Sequence, residues 1–161
     1  MLHWSHSPET KTADNGNDMT DDLHIDLTDH PPQEARDVIL AGLIDFNRRL
    51  LGDPQGIPLA LLLTSADGTV VGGMWARTAF QWLFVELLFV PEPLRGRGLG
   101  RELLDRAEQE ARRRGCIGAW LETFSSQARS LYERCGYAVF GEIPEYPPGN
   151  VRTFLCKRWD R

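Results

Sequence analysis

The sequence has 161 residues, a length that suits one domain with its own core and is short for two. Hydrophobic residues make up 42% of it and charged residues 25%, a composition typical of globular proteins that argues against a fibrous or a wholly disordered chain. The formal net charge of -5 argues against a nucleic-acid partner, because phosphate backbones repel an acidic protein.

Membrane insertion, secretion and metal binding find no support in the sequence. No apolar run approaches the roughly 20 residues that span a bilayer, and the segment from Met1 to Met19 lacks the basic start and hydrophobic middle of a signal peptide. Cys116, Cys135 and Cys156 show no C-x-x-C spacing, which argues against a disulfide framework and against a zinc site. We therefore expect a cytoplasmic protein without a membrane partner and without a metal.

The chain begins with a segment that shows no folding pattern. Residues 1 to 21 are polar, contain Pro8, Asn15 and Gly16, and have no hydrophobic period, which predicts a disordered N-terminal tail. Residues 22 to 161 are then predicted to form one domain. Met19 stands directly before the first patterned residues, which leaves the true start of the protein open.

The first regular elements are predicted to be a strand and a helix. Leu23, Ile25 and Leu27 alternate with polar neighbours, as in a half-buried strand. A helix is predicted to begin after Pro32 and to end at Gly52. Its apolar residues recur at helical spacing, at Ala35, Val38, Ile39, Leu43, Phe46 and Leu50.

Three strands are predicted next. The segments Leu59–Thr64 and Val70–Ala79 flank the turn signal Asp67-Gly68, which predicts an antiparallel hairpin. The run Trp82–Val90 is almost continuously apolar, as in a central strand that is covered on both faces. Glu86 is its one charged residue and therefore a candidate for function.

The rest of the chain alternates between helices and strands. A helix is predicted from Gly98 to Arg114, with Leu99, Leu103 and Ala107 on one face and Gly115 as a left-handed cap. The elements after it are a strand at Ile117–Thr123, a helix at Ser126–Cys135, a strand near Tyr137–Glu142 and a strand at Val151–Arg158.

A glycine-rich loop separates the central strand from the long helix. Residues 95 to 100 read Arg-Gly-Arg-Gly-Leu-Gly, and small residues at a helix start let an anion approach unpaired backbone N–H groups. A dinucleotide fingerprint would need glycine where Arg101 stands, and a P-loop would need Gly-Lys followed by Ser or Thr. Both motifs are absent, while a glycine-rich turn without a ligand stays open as an alternative.

Two segments together resemble the GNAT superfamily of N-acetyltransferases. The loop at residues 95 to 100 fits the pattern Arg/Gln-x-x-Gly-x-Gly/Ala, and residues 128 to 137 resemble the second signature, Ala-x-x-Leu-Tyr-x-x-x-Gly-Phe/Tyr. The resemblance implies an α/β fold with a mixed, largely antiparallel central sheet that is splayed at its centre and flanked by helices. It also implies acetyl-CoA as the co-substrate.

The same resemblance implies a cofactor site. The backbone at the end of the central strand would pair with the pantetheine arm, and the loop amides would hold the pyrophosphate. Ser125 stands where many relatives have an asparagine that contacts the cofactor. The cofactor-binding residues implied in this way are Leu88, Phe89, Val90, Arg95, Gly96, Arg97, Gly98, Leu99, Gly100 and Ser125.

Two side chains are candidates for proton transfer. Glu86 lies in an apolar strand, where desolvation favours taking up a proton, so it could act as the base that neutralises the acceptor amine. Its alternatives are an ion pair with an arginine such as Arg77 and a substrate anchor. The resemblance implies that Tyr132 protonates the departing thiolate. Its alternative is plain core packing, because Tyr132 shares a helical face with Leu131 and Cys135.

The predicted activity is direct transfer of an acetyl group to a primary amine, with an oxyanion site at the backbone N–H groups near Phe89 and Val90. The acceptor is a small molecule or a peptide, and the negative net charge favours a cationic small molecule. Another acyl-CoA donor, or a catalytically silent acyl-CoA-binding or interaction module, remains as an alternative. A homodimer also stays open.

Overall fold

The computed structural model describes residues 23 to 159, so the predicted tail at residues 1 to 21 lies outside the described part. The backbone divides into two compact units, Met1–Leu43 and Ile44–Arg161. In the first unit, the strand predicted at Leu23, Ile25 and Leu27 is wrong, because these residues adopt no regular structure and are fully or largely exposed. Alternation alone does not make a strand when no neighbouring strand supplies the hydrogen bonds.

The predicted first helix is confirmed. Helix α1 spans Gln33–Leu51, and the division between the two units falls inside it. It ends where Gly52 adopts a left-handed backbone conformation, with φ at 81°. None of its residues is buried. Across the described residues, no helix combines the length and the apolar character that a membrane span requires.

The second unit is built on a six-stranded sheet. The strands are β1 Ile57–Thr64, β2 Val70–Ala79, β3 Trp82–Phe89, β4 Gly118–Thr123, β5 Ala138–Pro144 and β6 Val151–Arg158. They follow the order β1-β2-β3-β4-β6-β5, in which β3 and β4 are parallel neighbours and the other neighbouring pairs are antiparallel. This sheet confirms the predicted mixed, largely antiparallel fold.

Two helices of the second unit, α2 at Leu99–Arg113 and α3 at Ser126–Arg134, contribute to the core. On α2, the small residues Ala107 and Ala111 are fully buried, which lets the helix approach the sheet closely. The predicted left-handed glycine after this helix is confirmed, since Gly115 has φ at 80°. The core also includes the fully buried leucines Leu83, Leu104, Leu121 and Leu155.

The opposite face of the sheet differs from the prediction. The apolar run of β3 predicted a strand that is covered on both faces, yet Leu87 is 66% exposed and Phe89 is 57% exposed. Successive side chains of a strand point to opposite faces, so Leu83 and Val85 lie in the core while Phe84 lies on the other side. We call this side, which carries Phe84 and Leu87, the open face.

Candidate active site

Strands β3 and β4 separate part-way along their length. They pair over Trp82–Val85 and Gly118–Leu121, and β4 then continues in the sheet through its pairing with β6 alone. Glu86 is an extra residue in β3, because Val85 is opposite Ala76 and Leu87 is opposite Trp75. Such a β-bulge bends a strand and increases its twist. Beyond Leu121 and Val85 the two strands therefore enclose a gap.

The residues predicted to pair with the cofactor lie along this gap. Leu88 and Phe89 are paired with β2, so one edge of β3 is bonded there while the edge toward β4 has no strand partner. Gly72 lets the end of β3 come close, since a Cβ at this position would lie 2.7 Å from the carbonyl oxygen of Phe89. Val90 is half-buried and packs against the core. Whether these residues bind a cofactor stays a prediction.

The glycine-rich loop leads into the N-terminus of α2. Gly96 and Gly98 have φ at 76° and 81°, a region that side chains other than glycine rarely adopt. Gly98 caps the helix without a side chain, and the N–H of Glu102 donates to its carbonyl oxygen at 3.0 Å. The N–H groups of residues 99 to 101 precede this bond and have no partner inside the helix, which suits them to an anion.

The arginines of the loop and of the first turn of α2 differ in their contacts. The Nε of Arg95 donates to the carbonyl oxygen of Val90 at 3.0 Å, which ties the loop to the end of β3. The Nη2 of Arg101 donates to the carbonyl oxygen of Arg134 at 2.8 Å, which ties α2 to the end of α3. Arg97 lies beside Gly98 in the wall of an open cleft of about 470 Å³ on the outer side of α2.

Tyr132 is buried between the helices and the sheet. Its side chain is 6% exposed, and burial, with a smaller contribution from Cys135, raises the pKa of its phenol. Its ring lies edge-to-face against that of Tyr137, with centroids 6.1 Å apart. The prediction that Tyr132 packs in the core is thus confirmed. Its role as an acid stays a prediction. The phenol is protonated at neutral pH, and its raised pKa makes it release that proton less readily than a free tyrosine does.

Ser125 has a structural contact of its own. Its Oγ accepts a hydrogen bond from the N–H of Ala128 at 3.2 Å, and the residue is therefore the N-cap of α3. This bond uses the hydroxyl oxygen as an acceptor and leaves its hydrogen free to donate. A contact between Ser125 and the cofactor stays a prediction.

Glu86 lies on the open face and forms an ion pair. The Nη1 of Arg77 is 3.2 Å from the Oε1 of Glu86, and the two side chains are 56% and 29% exposed. Of the alternatives raised by the sequence, the pairing with Arg77 is therefore present in the structure. The pair stands at the bulge where the gap begins.

Comparison with known proteins shows which family this chain belongs to. The model of the acetyltransferase (GNAT) family matches residues 17–137. The chain belongs to the GNAT acetyltransferase family. An acetyltransferase of Agrobacterium fabrum is 38% identical over 137 residues, covering 85% of this chain and 100% of the relative. Blasticidin-S acetyltransferase of Streptomyces morookaense is 45% identical over 104 residues, covering 62% of this chain and 76% of the relative.

The fold of this GNAT enzyme agrees with a solved relative. The crystal structure of an acetyltransferase from Agrobacterium tumefaciens superposes with a TM-score of 0.82 at 37% identity, and the match covers 85% of this chain and 100% of that one. The resemblance drawn from the two sequence signatures is therefore confirmed, and the protein is an acyltransferase. The fold class implied by the resemblance is confirmed with it.

The sequence-based prediction missed a second group of residues on the open face of this GNAT enzyme. Phe84 stacks on Trp120 of the neighbouring strand, with centroids 3.9 Å apart and planes 11° apart. Glu122 accepts two hydrogen bonds from Arg152 of β6. The signal for this arrangement was present, because β3 reads Phe84-Val-Glu86 and β4 reads Trp120-Leu-Glu122, the same pattern in adjacent parallel strands.

Arg152 connects the open face to the loop between β5 and β6. Its guanidinium carbon lies 4.9 Å from the ring centroid of Phe124 and 5.2 Å from that of Tyr146, and those two rings meet edge-to-face. Glu122 raises the pKa of Arg152 above its ordinary value. These contacts hold Tyr146 beside the end of β4, so the loop borders the side of the gap that faces Glu122.

Proposed function

We propose that this chain transfers an acetyl group from acetyl-CoA directly to the primary amine of a small molecule. One observation carries the proposal: the end of β3 that borders the gap leads into the glycine-rich loop, which Arg95 ties to Val90, and then into the N-terminus of α2, whose first N–H groups have no partner in the helix. A thioester in the gap and a pyrophosphate at the helix are the two ends of one cofactor. Membership of an acetyltransferase family supports the same conclusion.

The chemistry requires a neutral amine and a proton for the leaving thiolate. An amine with a pKa of about 10.4 is neutral in roughly one molecule in a thousand at pH 7, so a base beside it is valuable. Glu86 would accept that proton at the start of the gap. Tyr132 would donate a proton to the CoA sulfur, since its phenol is protonated at neutral pH. No covalent intermediate on the protein is needed.

The acceptor is proposed to be a small molecule rather than a peptide. The relative that is 45% identical over 104 residues is named for the acceptor blasticidin S. The carboxylate of Glu86 lies on the open face, where it would hold the amine. A cytoplasmic location and a homodimer both stay predictions.

A donor and acceptor screen tests the proposal. The full chain would be incubated with acetyl-CoA and a panel of amines. A colorimetric thiol reagent would measure the release of free CoA, and mass spectrometry would identify the acetylated product. We expect release that depends on one class of amine. Faster turnover with propionyl-CoA or succinyl-CoA would replace the proposed donor. Binding of acetyl-CoA by calorimetry without turnover on any amine would favour the silent module instead.

A further inference from the structure

We propose that the acceptor carries a carboxylate on the carbon that bears its amine, and that Arg77 binds this carboxylate while Glu86 receives the amine. The acceptor would then be an α-amino acid, with an apolar side chain. This inference rests on the proposed function, because it assigns the substrate class of the same site. It depends on the contacts of Arg77 and on the residues that surround it on the open face.

The two charges of the pair are adjacent, and their spacing limits what they can bind together. With 3.2 Å between the Nη1 of Arg77 and the Oε1 of Glu86, a ligand that contacts both groups must hold its own opposite charges about as close. An amine and a carboxylate on one carbon meet this condition. A diamine offers no group for the guanidinium, and an amine with a distant carboxylate cannot reach both.

Arg77 retains donors for such a contact. Its ion pair uses one nitrogen, the side chain is 56% exposed, and its guanidinium carbon lies 5.2 Å from the ring centroid of Phe84. Arg152, on the other side of the gap, differs because it is 22% exposed, gives two hydrogen bonds to Glu122 and lies against aromatic rings. Arg77 is therefore the better candidate for binding an anion.

The surroundings of Arg77 explain the choice of an apolar side chain. Phe84 stacks on Trp120, so the ring below the guanidinium is held in place. Trp75 lies two residues before Arg77 on the same face of β2 and is opposite Leu87 in the register. These two side chains are 49% and 66% exposed. They form an apolar surface beside the ion pair, where the side chain of an amino acid would lose contact with water.

Matched pairs of acceptors test the inference. Each pair is an amino acid and the amine that lacks its carboxylate: L-leucine with 3-methylbutylamine, and L-phenylalanine with 2-phenylethylamine. The quantity measured is the ratio of kcat/KM for the amino acid to that for the amine. A carboxylate changes the basicity of the neighbouring amine, but this effect is the same for every enzyme variant. It therefore cancels when the ratio in a variant is compared with the ratio in the wild type.

We expect Arg77→Gln to lower this ratio about tenfold or more, as for loss of a charge-assisted hydrogen bond, and Arg77→Lys to lower it less. Arg158→Gln is the matched control. Arg158 lies at the far end of the sheet beside Trp82, with its guanidinium carbon 5.7 Å from that ring, and its variant should keep the wild-type ratio.

Three results would overturn the inference. Wild-type rates on both members of each pair in Arg77→Gln would remove the carboxylate contact and leave the proposed function standing. An equal loss on both members of each pair would make Arg77 a residue that only positions Glu86. If the wild type acetylates no amine in this set or in the wider screen, the proposed function fails and this inference fails with it.

Discussion

The Cδ2 atom of Leu131 lies 3.0 Å from the position that a Cβ on Gly100 would occupy. Helices α2 and α3 thus meet at a residue without a side chain, directly beside Tyr132. A larger side chain at this point must displace Leu131. We expect Gly100→Ile to lower the free energy of unfolding by about 1–3 kcal/mol, as is usual for overpacking.

A double-mutant cycle measured by urea unfolding checks the cause. Leu131→Ala removes the atom that a side chain at position 100 would strike, so Gly100→Ile should cost less in that background than in the wild type. Simple additivity of the two changes would show that the contact is not what restricts position 100.

The buried ion pair between Lys157 and Glu108 should be sensitive to loss of one partner. Lys157 Nζ lies 2.6 Å from Glu108 Oε2, and the side chain of Glu108 is 6% exposed. We expect Lys157→Met to destabilise the protein by about 3 kcal/mol or more, because it leaves a carboxylate buried without its cation. Urea unfolding measures the change, and Glu108→Leu in the same chain should restore most of the loss.

The matched control for this pair is Arg113→Met. Arg113 pairs with Glu110 on the surface of α2, with its side chain 74% exposed, so water and salt screen the interaction. Its stability should stay close to that of the wild type. Equal effects of Arg113→Met and Lys157→Met would contradict the importance of burial at Glu108.

The role of the glycine-rich loop in cofactor binding can be tested by substituting the two glycines that flank α2. Gly98 and Gly115 flank α2 and have φ at 81° and 80°, and a Cβ on either would meet no protein atom within 4 Å. Valine at either position should therefore cost about 1–3 kcal/mol of backbone strain. We expect Gly98→Val alone to weaken the binding of acetyl-CoA in calorimetry, by about tenfold or more for loss of charge-assisted hydrogen bonds to its phosphates. Equal affinities of the two folded variants would remove the loop from the cofactor site.

Local sequence rules predicted most of the second unit. The turn signal at Asp67-Gly68, the apolar period of α2 and the glycine at position 115 each depend on neighbours in the sequence, and the structure confirms all three elements. The alternating residues 23 to 27 met the same local rule and failed. A strand needs a neighbour to bond with, and local periodicity carries no information about that neighbour.

The open face was harder to predict because its contacts join residues that are far apart in the sequence. The apolar run of β3 has the composition of a buried strand, but the bulge at Glu86 and the parting from β4 depend on the pairing of three strands. The pairs Phe84 with Trp120 and Glu122 with Arg152 likewise connect separate strands. The sequence could suggest Arg77 as a partner of Glu86 without supplying its distance.

Glu86 should show the pH dependence of a base. Glu86→Gln removes the proton acceptor, so we expect kcat/KM to fall about 10²-fold near pH 7 and to recover in part at alkaline pH, where more of the amine is neutral. Steady-state rates from pH 6 to 10 measure the profile. Glu122→Gln, at the matching position of β4, is the control and should change the rate less and leave the shape of the profile unaltered. A wild-type profile in Glu86→Gln would rule out the base.

The contributions of the ring and of the hydroxyl of Tyr132 can be measured separately. Tyr132→Phe keeps the ring that packs against Tyr137, so the fold and the affinity for acetyl-CoA should change little. If the hydroxyl protonates the thiolate, kcat should fall about 10²-fold or more. Tyr137→Phe is the matched control, since Tyr137 is the adjacent buried tyrosine and its ring packs against that of Tyr132. It should keep normal turnover.

The pH profile adds a second readout for the same hydroxyl. Burial raises the pKa of Tyr132 above its ordinary value of about 10, so the phenol stays protonated at neutral pH and should lose its proton, and its function as an acid, only as pH rises through that higher value. The wild-type rate should therefore hold through neutral pH and fall on the far alkaline side, and Tyr132→Phe should lack this alkaline fall. A well-folded Tyr132→Phe protein with wild-type turnover would leave Tyr132 as a packing residue, and the proton for the thiolate would have to come from another group.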